Sequence, residues 1–141
     1  MTVHLIKLSV GPESLNDLIG WQQQRLADQK RRKQPVELMH ITRHMPKRAD
    51  EVLDGGSIYW VIKSFIVARQ KLLELRPITY NETPHCGLIY APEMIRVVPR
   101  PHRPFQGWRY FDPKDAPRDL SRDEADIPDE MRKELGALGL L

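Results

Sequence analysis

The chain has only one cysteine, Cys86, in 141 residues, so it can form no internal disulfide and no cysteine zinc cluster. Cysteine poverty fits a reducing compartment. No apolar run approaches the ~18–20 residues that a membrane-spanning helix needs. The opening Met1-Thr2-Val3-His4-Leu5-Ile6-Lys7 lacks the charged-then-apolar layout and small-residue cleavage site of a secretory leader. The expectation is a cytoplasmic protein without membrane association.

Catalytic signatures are scarce too. Asp54-Gly55-Gly56-Ser57 is a turn sequence and lacks the G-x-x-x-x-G-K-[ST] pattern of a phosphate loop. His40 and His44 have the spacing of paired metal ligands on a helix. Ile41 stands where a zinc-protease motif has glutamate, however, and the segment reads as strand. His85 and Cys86 are strand neighbours and so point to opposite faces, which rules against a thiol–imidazole pair. Asp50-Glu51 and Asp123-Glu124 read as solvated helical surface. No catalytic residue, metal or cofactor is expected from these patterns.

Charge is present, and it is unevenly spread. The formal net charge of +3 divides into +7 over residues 1–111 and −4 over residues 112–141. A basic body with an acidic tail points to a polyanion partner, or to a tail that folds back on the body. With 40% hydrophobic and 29% charged residues, the composition is that of an ordinary globular domain long enough to bury a core.

The densest functional pattern is Val97 to Phe111. It carries Arg100, Arg103 and Arg109, the imidazole of His102, and the rings of Phe105, Trp108, Tyr110 and Phe111. Guanidinium forks pair with phosphates or carboxylates, and flat rings stack on bases. The same spacing also suits a strand with one face on a core, which makes Trp108 mainly structural and the arginines functional. A second cationic cluster, Arg43, Lys47 and Arg48, surrounds Pro46, read as the first residue of a helix. Helix N-termini favour anions, so cations there imply an anion nearby or ion pairs with Asp50 or Glu51.

Periodicity predicts a strand over Val3–Val10 and a helix from Ser14 to about Lys33 with an apolar stripe of Leu15, Leu18, Ile19 and Leu26. Strands follow over Leu38–Arg43 and Ser57–Lys63, the latter apolar on both faces and so central. Residues 66–78 fit helix or strand, and the turn-strand context favours strand. Further strands are expected at Cys86–Tyr90 and Ile95–Val98. A proline-punctuated connector at 112–117 leads to a terminal helix with a stripe of Ile127, Met131, Leu135 and Leu138. Residues 1–111 are expected to form the domain, with 112–141 packed on it.

The blocks M-P-K-R-A-D-E-V-L-D-G-G-S-I-Y-W-V-I-K, R-P-F-Q-G-W-R-Y-F and D-A-P-R-D-L resemble an uncharacterised alphaproteobacterial family, the domain of unknown function numbered 1489. That likeness spans nearly the whole chain and implies no activity. Separately, G-G-S-I-Y-W-V-I-K followed by I-V-A-R-Q-K-L-L-E-L-R-P-I is similar to the central hairpin of PUA-like domains, including the ASCH and EVE groups. This implies an α+β fold, a small, largely antiparallel PUA-like β-barrel with flanking helices, which commonly binds RNA or modified bases. The expected function is nucleic-acid binding, RNA before DNA. Phosphates would meet Arg43, Lys47, Arg48, Arg100 and Arg103, a base or single-stranded segment would stack near Trp108 or Tyr110, and Arg109 belongs to the same nucleic-acid-binding set. The ASCH likeness implies an alternative, a small hydrolase of a nucleotide or modified base using Thr42 and Lys47. A protein-interaction domain is the third reading.

Overall fold

A computed structural model describes residues 1–141. The elements run β1 (His4–Leu8), α1 (Leu15–Arg31), β2 (Leu38–Thr42), α2 (Ala49–Val52), β3 (Ser57–Ile62), β4 (Phe65–Tyr80), β5 (Thr83–Tyr90), β6 (Ile95–Pro101) and β7 (Trp108–Phe111). A 3-10 turn (Pro113–Asp115), α3 (Arg122–Ala125) and α4 (Asp129–Ala137) complete the chain. The fold is α+β.

One seven-stranded sheet carries it, in the order β2-β5-β4-β3-β1-β7, with β6 also on β4. Every pairing is antiparallel except β1 with β3. Strand β4 organises the sheet. Its first half pairs with β3 and β6, its second half pairs with β5, and the register shifts between Leu72 and Glu74 where the two halves meet. An added residue of this kind bends a strand and raises its twist. The ambiguous segment 66–78 is therefore strand throughout. The two ends of the strand order, β2 and β7, do not pair, so no ladder closes the sheet into a barrel. Instead, the segment that follows β2 reaches β7 through two bonds to side chains. Trp108 Nε1 on β7 donates to the carbonyl of His44 (3.2 Å), and the Arg48 N–H donates to the Tyr110 hydroxyl (3.0 Å).

Alternation explains the two cores. On β1 and β3, Leu5, Ile58, Trp60 and Ile62 face one side, where Leu15 and Leu18 of α1 cover them. Ile6, Tyr59 and Val61 face the other side and meet Val97 and Phe105. All six residues of β3 are buried, as its central position requires. Helix α1 starts where its sequence says: Ser14 Oγ accepts the Asp17 N–H, and the Asp17 carboxylate accepts the Glu13 N–H.

Two local expectations are corrected. Pro46 is fully buried and precedes the helix, whose cap is Arg48; α2 is a single four-residue turn. The α4 stripe is also turned. Met131 and Leu138 are exposed, while Arg132 is buried and Gly136 lies so close to the Pro99 carbonyl that a Cβ would collide with it. Close backbone approach at a glycine, rather than an apolar stripe, docks this helix on β6. The preceding segment also joins the sheet region. Val97 bridges Asp119, and Asp119 accepts a two-pronged ion pair from Arg69 (both 2.8 Å). No helix is long and apolar enough to cross a membrane.

Candidate functional site

At the end of β1 the inner sheet face and α1 leave a cleft of about 290 Å³ between them. This is close to the lower bound of the ~300–1,000 Å³ typical of small-molecule sites. The sheet supplies Lys7, His40, Trp60 and Tyr90 to it, and α1 supplies Trp21 and Arg25. Four of these six are aromatic or imidazole rings, two are cations, and no carboxylate lines the cleft.

The Trp60 ring is fixed from behind. Its Nε1 donates to Gln70 Oε1 (2.8 Å), Gln70 and Gln22 exchange amide hydrogen bonds (2.8 and 2.9 Å), and Gln70 Nε2 also donates to the Ala91 carbonyl (3.0 Å). Every amide atom of these two buried glutamines has a partner, so the network holds the indole rather than straining it. Trp60 meets His40 edge-on at 6.3 Å and Tyr90 at 5.8 Å, both preferred aromatic geometries. Trp21 stands at the mouth, 52% exposed. Its ring lies on Gly11, where a Cβ would come within 3.3 Å and where φ is +110°, so glycine serves both the turn and the contact.

Electrostatics distinguishes this cleft from ordinary core. Burial, reinforced by the positive charges of Lys7 and Arg25, pushes the His40 imidazole down to about 4. It is neutral at pH 7, with one ring nitrogen to donate and one to accept. Burial lowers the Lys7 ammonium as well and raises the Tyr90 hydroxyl. The side chains of Lys7, Arg25, His40 and Tyr90 make no hydrogen bond or ion pair inside the protein, in contrast to the saturated glutamines behind them. A planar molecule in this space would meet rings on its faces and unspent donors and acceptors on its edges. A shallow groove continues from the cleft along α1, sharing Trp21 and Arg25 and reaching Gln29 and Arg32. Residues 25, 29 and 32 follow one helix face.

The residues picked from sequence fall into two groups. Tyr110, Trp108 and Arg48 come together: the two rings meet edge-on at 5.0 Å and the Arg48 guanidinium sits 5.3 Å over Tyr110. Arg43 and Lys47 are exposed in the same segment after β2. Lys7 is the cross-strand partner of Trp108, so this group borders the cleft. Trp108 itself is half-buried and packs on the main core. Arg48 is held by Glu51 in a two-pronged ion pair (2.5 and 2.9 Å), which accounts for its place beside a helix start without an external anion. The other group lies apart. Arg109 pairs with Ile6, on the sheet face opposite Lys7, and covers Phe105 at 4.9 Å. Arg100 donates to the Asp115 carbonyl, and Arg103 is exposed. Thr42 and Lys47 do not line the cleft.

Residues 5–141 match the family described as protein of unknown function DUF1489. The chain belongs to that family. No curated protein and no solved structure matches it. Its functional chemistry therefore has to come from its own side chains.

Sequence reasoning missed the cleft, although two signals were present on α1. Gln22 interrupts the stripe Leu15, Leu18, Leu26 at a position facing the core, which requires a buried polar partner. Trp21 is a large ring on the helix's polar side. Neither shows from sequence which strand residues it meets.

Proposed function

We propose that this protein is a nucleic-acid-binding module that takes one unpaired base, of RNA rather than DNA, into the cleft between α1 and the sheet. The carrying observation is the cleft's composition: four rings, two unpaired cations and no carboxylate in a space of about 290 Å³. Such a pocket stacks a base and offers its edge both donors and acceptors. The α1 groove with Arg25 and Arg32 gives the phosphates on one side a path, and Arg43 and Lys47 beyond Trp108 give those on the other side theirs. The bent sheet, with β7 tied to the segment after β2 by the Trp108 and Tyr110 bonds, reads as an incompletely closed PUA-like barrel. The hydrolase alternative finds less support, because the cleft contains neither Thr42 nor Lys47 nor any carboxylate to act as a base.

The test is a tryptophan-fluorescence titration with short single-stranded RNA at several salt concentrations. With about four phosphates contacted, log affinity falls against log salt with a slope of roughly −3. Trp21→Ala weakens binding by ~1–3 kcal/mol and leaves the melting temperature nearly unchanged, as expected of an exposed stacking ring. Arg25→Ala and Arg32→Ala weaken it more than Arg100→Ala and Arg103→Ala; the reverse order would move the site to the β6–β7 face. Absence of binding at low salt, or binding indifferent to salt, refutes the reading.

A further inference from the structure

Aromatic walls alone would make the cleft a cation trap, since ring faces attract ammonium and methylated heterocycles. The charges around it point the other way. Lys7 projects from β1 and Arg25 from α1, both line the cleft, neither is paired with an acid, and no aspartate or glutamate contributes to the lining. The acid nearest in sequence to Arg25 on the groove side, Asp28, is taken by Arg31 (2.6 Å). The edge chemistry agrees: Lys7 and Arg25 can only donate, while the His40 ring and the Tyr90 hydroxyl can each do either.

We infer that the cleft selects planar rings by charge, accepting neutral or anionic bases with acceptor-rich edges and rejecting cationic ones such as 7-methylguanine or 1-methyladenine. This rests on the base-binding reading above and adds a specificity to it. A cationic ring would be a third positive charge beside Lys7 and Arg25 with no anion in the lining, whereas a neutral ring of the same shape keeps the stacking and loses the repulsion. His40 is held neutral first by its burial, and the same two cations that would meet the ligand add to that by disfavouring the imidazolium.

The experiment compares 7-methylguanosine with its neutral isostere 7-deaza-7-methylguanosine on the full chain, by calorimetry or tryptophan quenching. A pH of about 6 keeps the first ligand cationic and His40 neutral. Both ligands carry the same methyl group and both lack the N7 acceptor, so charge is the difference read. The isostere is expected to bind at least about tenfold more tightly, an effect of the size that one nearby like charge produces in a partly buried site. In Lys7→Met and in Arg25→Gln that ratio shrinks by about threefold or more. Arg25 is exposed on α1, so the second variant retains the fold if the first does not. A ratio below about threefold on the parent chain overturns the charge selection while leaving the base site standing. An unchanged ratio in both variants overturns it as well, by removing its cause. Binding of neither ligand overturns the base-binding reading, and this inference with it.

Discussion

Replacing Gln70 with leucine tests the claim that the cleft is built on a saturated buried network. The side chain is fully buried and makes four hydrogen bonds: one from Trp60 Nε1, two exchanged with Gln22 and one to Ala91. A typical bond is worth ~1 kcal/mol net, and a buried group left without a partner costs ~1–3 kcal/mol. Gln22 lines the cleft and can turn toward water there, and leucine gains some apolar burial. Trp60 Nε1 has no such outlet, because the residue is 3% exposed. The expected loss is therefore ~3 kcal/mol, or a fall of roughly 10 °C in melting temperature for a chain of this size. Gln22→Leu should cost less, ~1–2 kcal/mol, since Gln70 retains Trp60 and Ala91. The double variant should be ~1–2 kcal/mol milder than the two singles added, because they share the reciprocal amide bonds. Urea unfolding of the four proteins measures the cycle. A Gln70→Leu loss under ~0.5 kcal/mol, or strict additivity, would refute the network as described.

Further expectations concern titration and packing. His40 stays neutral in the fold down to about 4, so as pH falls from ~6.5 the unfolded chain takes up the proton first and stability drops, by up to ~2 kcal/mol after allowing for the ring's partial exposure. His40→Phe should flatten that limb in urea melts between pH ~7 and ~4.5, and an identical pH dependence in variant and parent counts against it. Trp108→Ala should cost ~2–3 kcal/mol, because the indole packs on the main core and bridges to the His44 carbonyl; a loss under ~1 kcal/mol would mean β7 is not tied to the segment after β2 there. Truncation after Pro117 removes the Arg69–Asp119 pair and the α4 contact with β6. It should lower thermal stability markedly, and a truncated chain that melts with the parent would show residues 118–141 to be an appendage.

Local chemistry was legible wherever one stretch of chain settles its own conformation. The Ser14 cap opens α1, the doubly apolar run 57–62 is the central strand, and the element order follows the turns between them. The basic cluster at 43–48 was visible as charge, but its pairing was not: Arg48 answers to Glu51, one helical turn away, and to the Tyr110 ring, which is 62 residues distant.

The sequence by itself determined most of the sheet-forming segments, leaving 66–78 between helix and strand, together with the central place of β3 and the separation of a basic body from an acidic tail. Those depend on period, capping and charge, which are properties of neighbours along the chain. Tertiary structure alone decided which face of α4 docks, because Gly136 is chosen by a carbonyl on β6 and not by its own helix. It alone decided that Gln22 meets Gln70, that Lys7 stands beside Trp108, and that His40, Trp60 and Tyr90 converge under Trp21. The physical reason is common to all of these: strand order and the bend of β4 bring together residues far apart in the chain, and no local period encodes who the partners are.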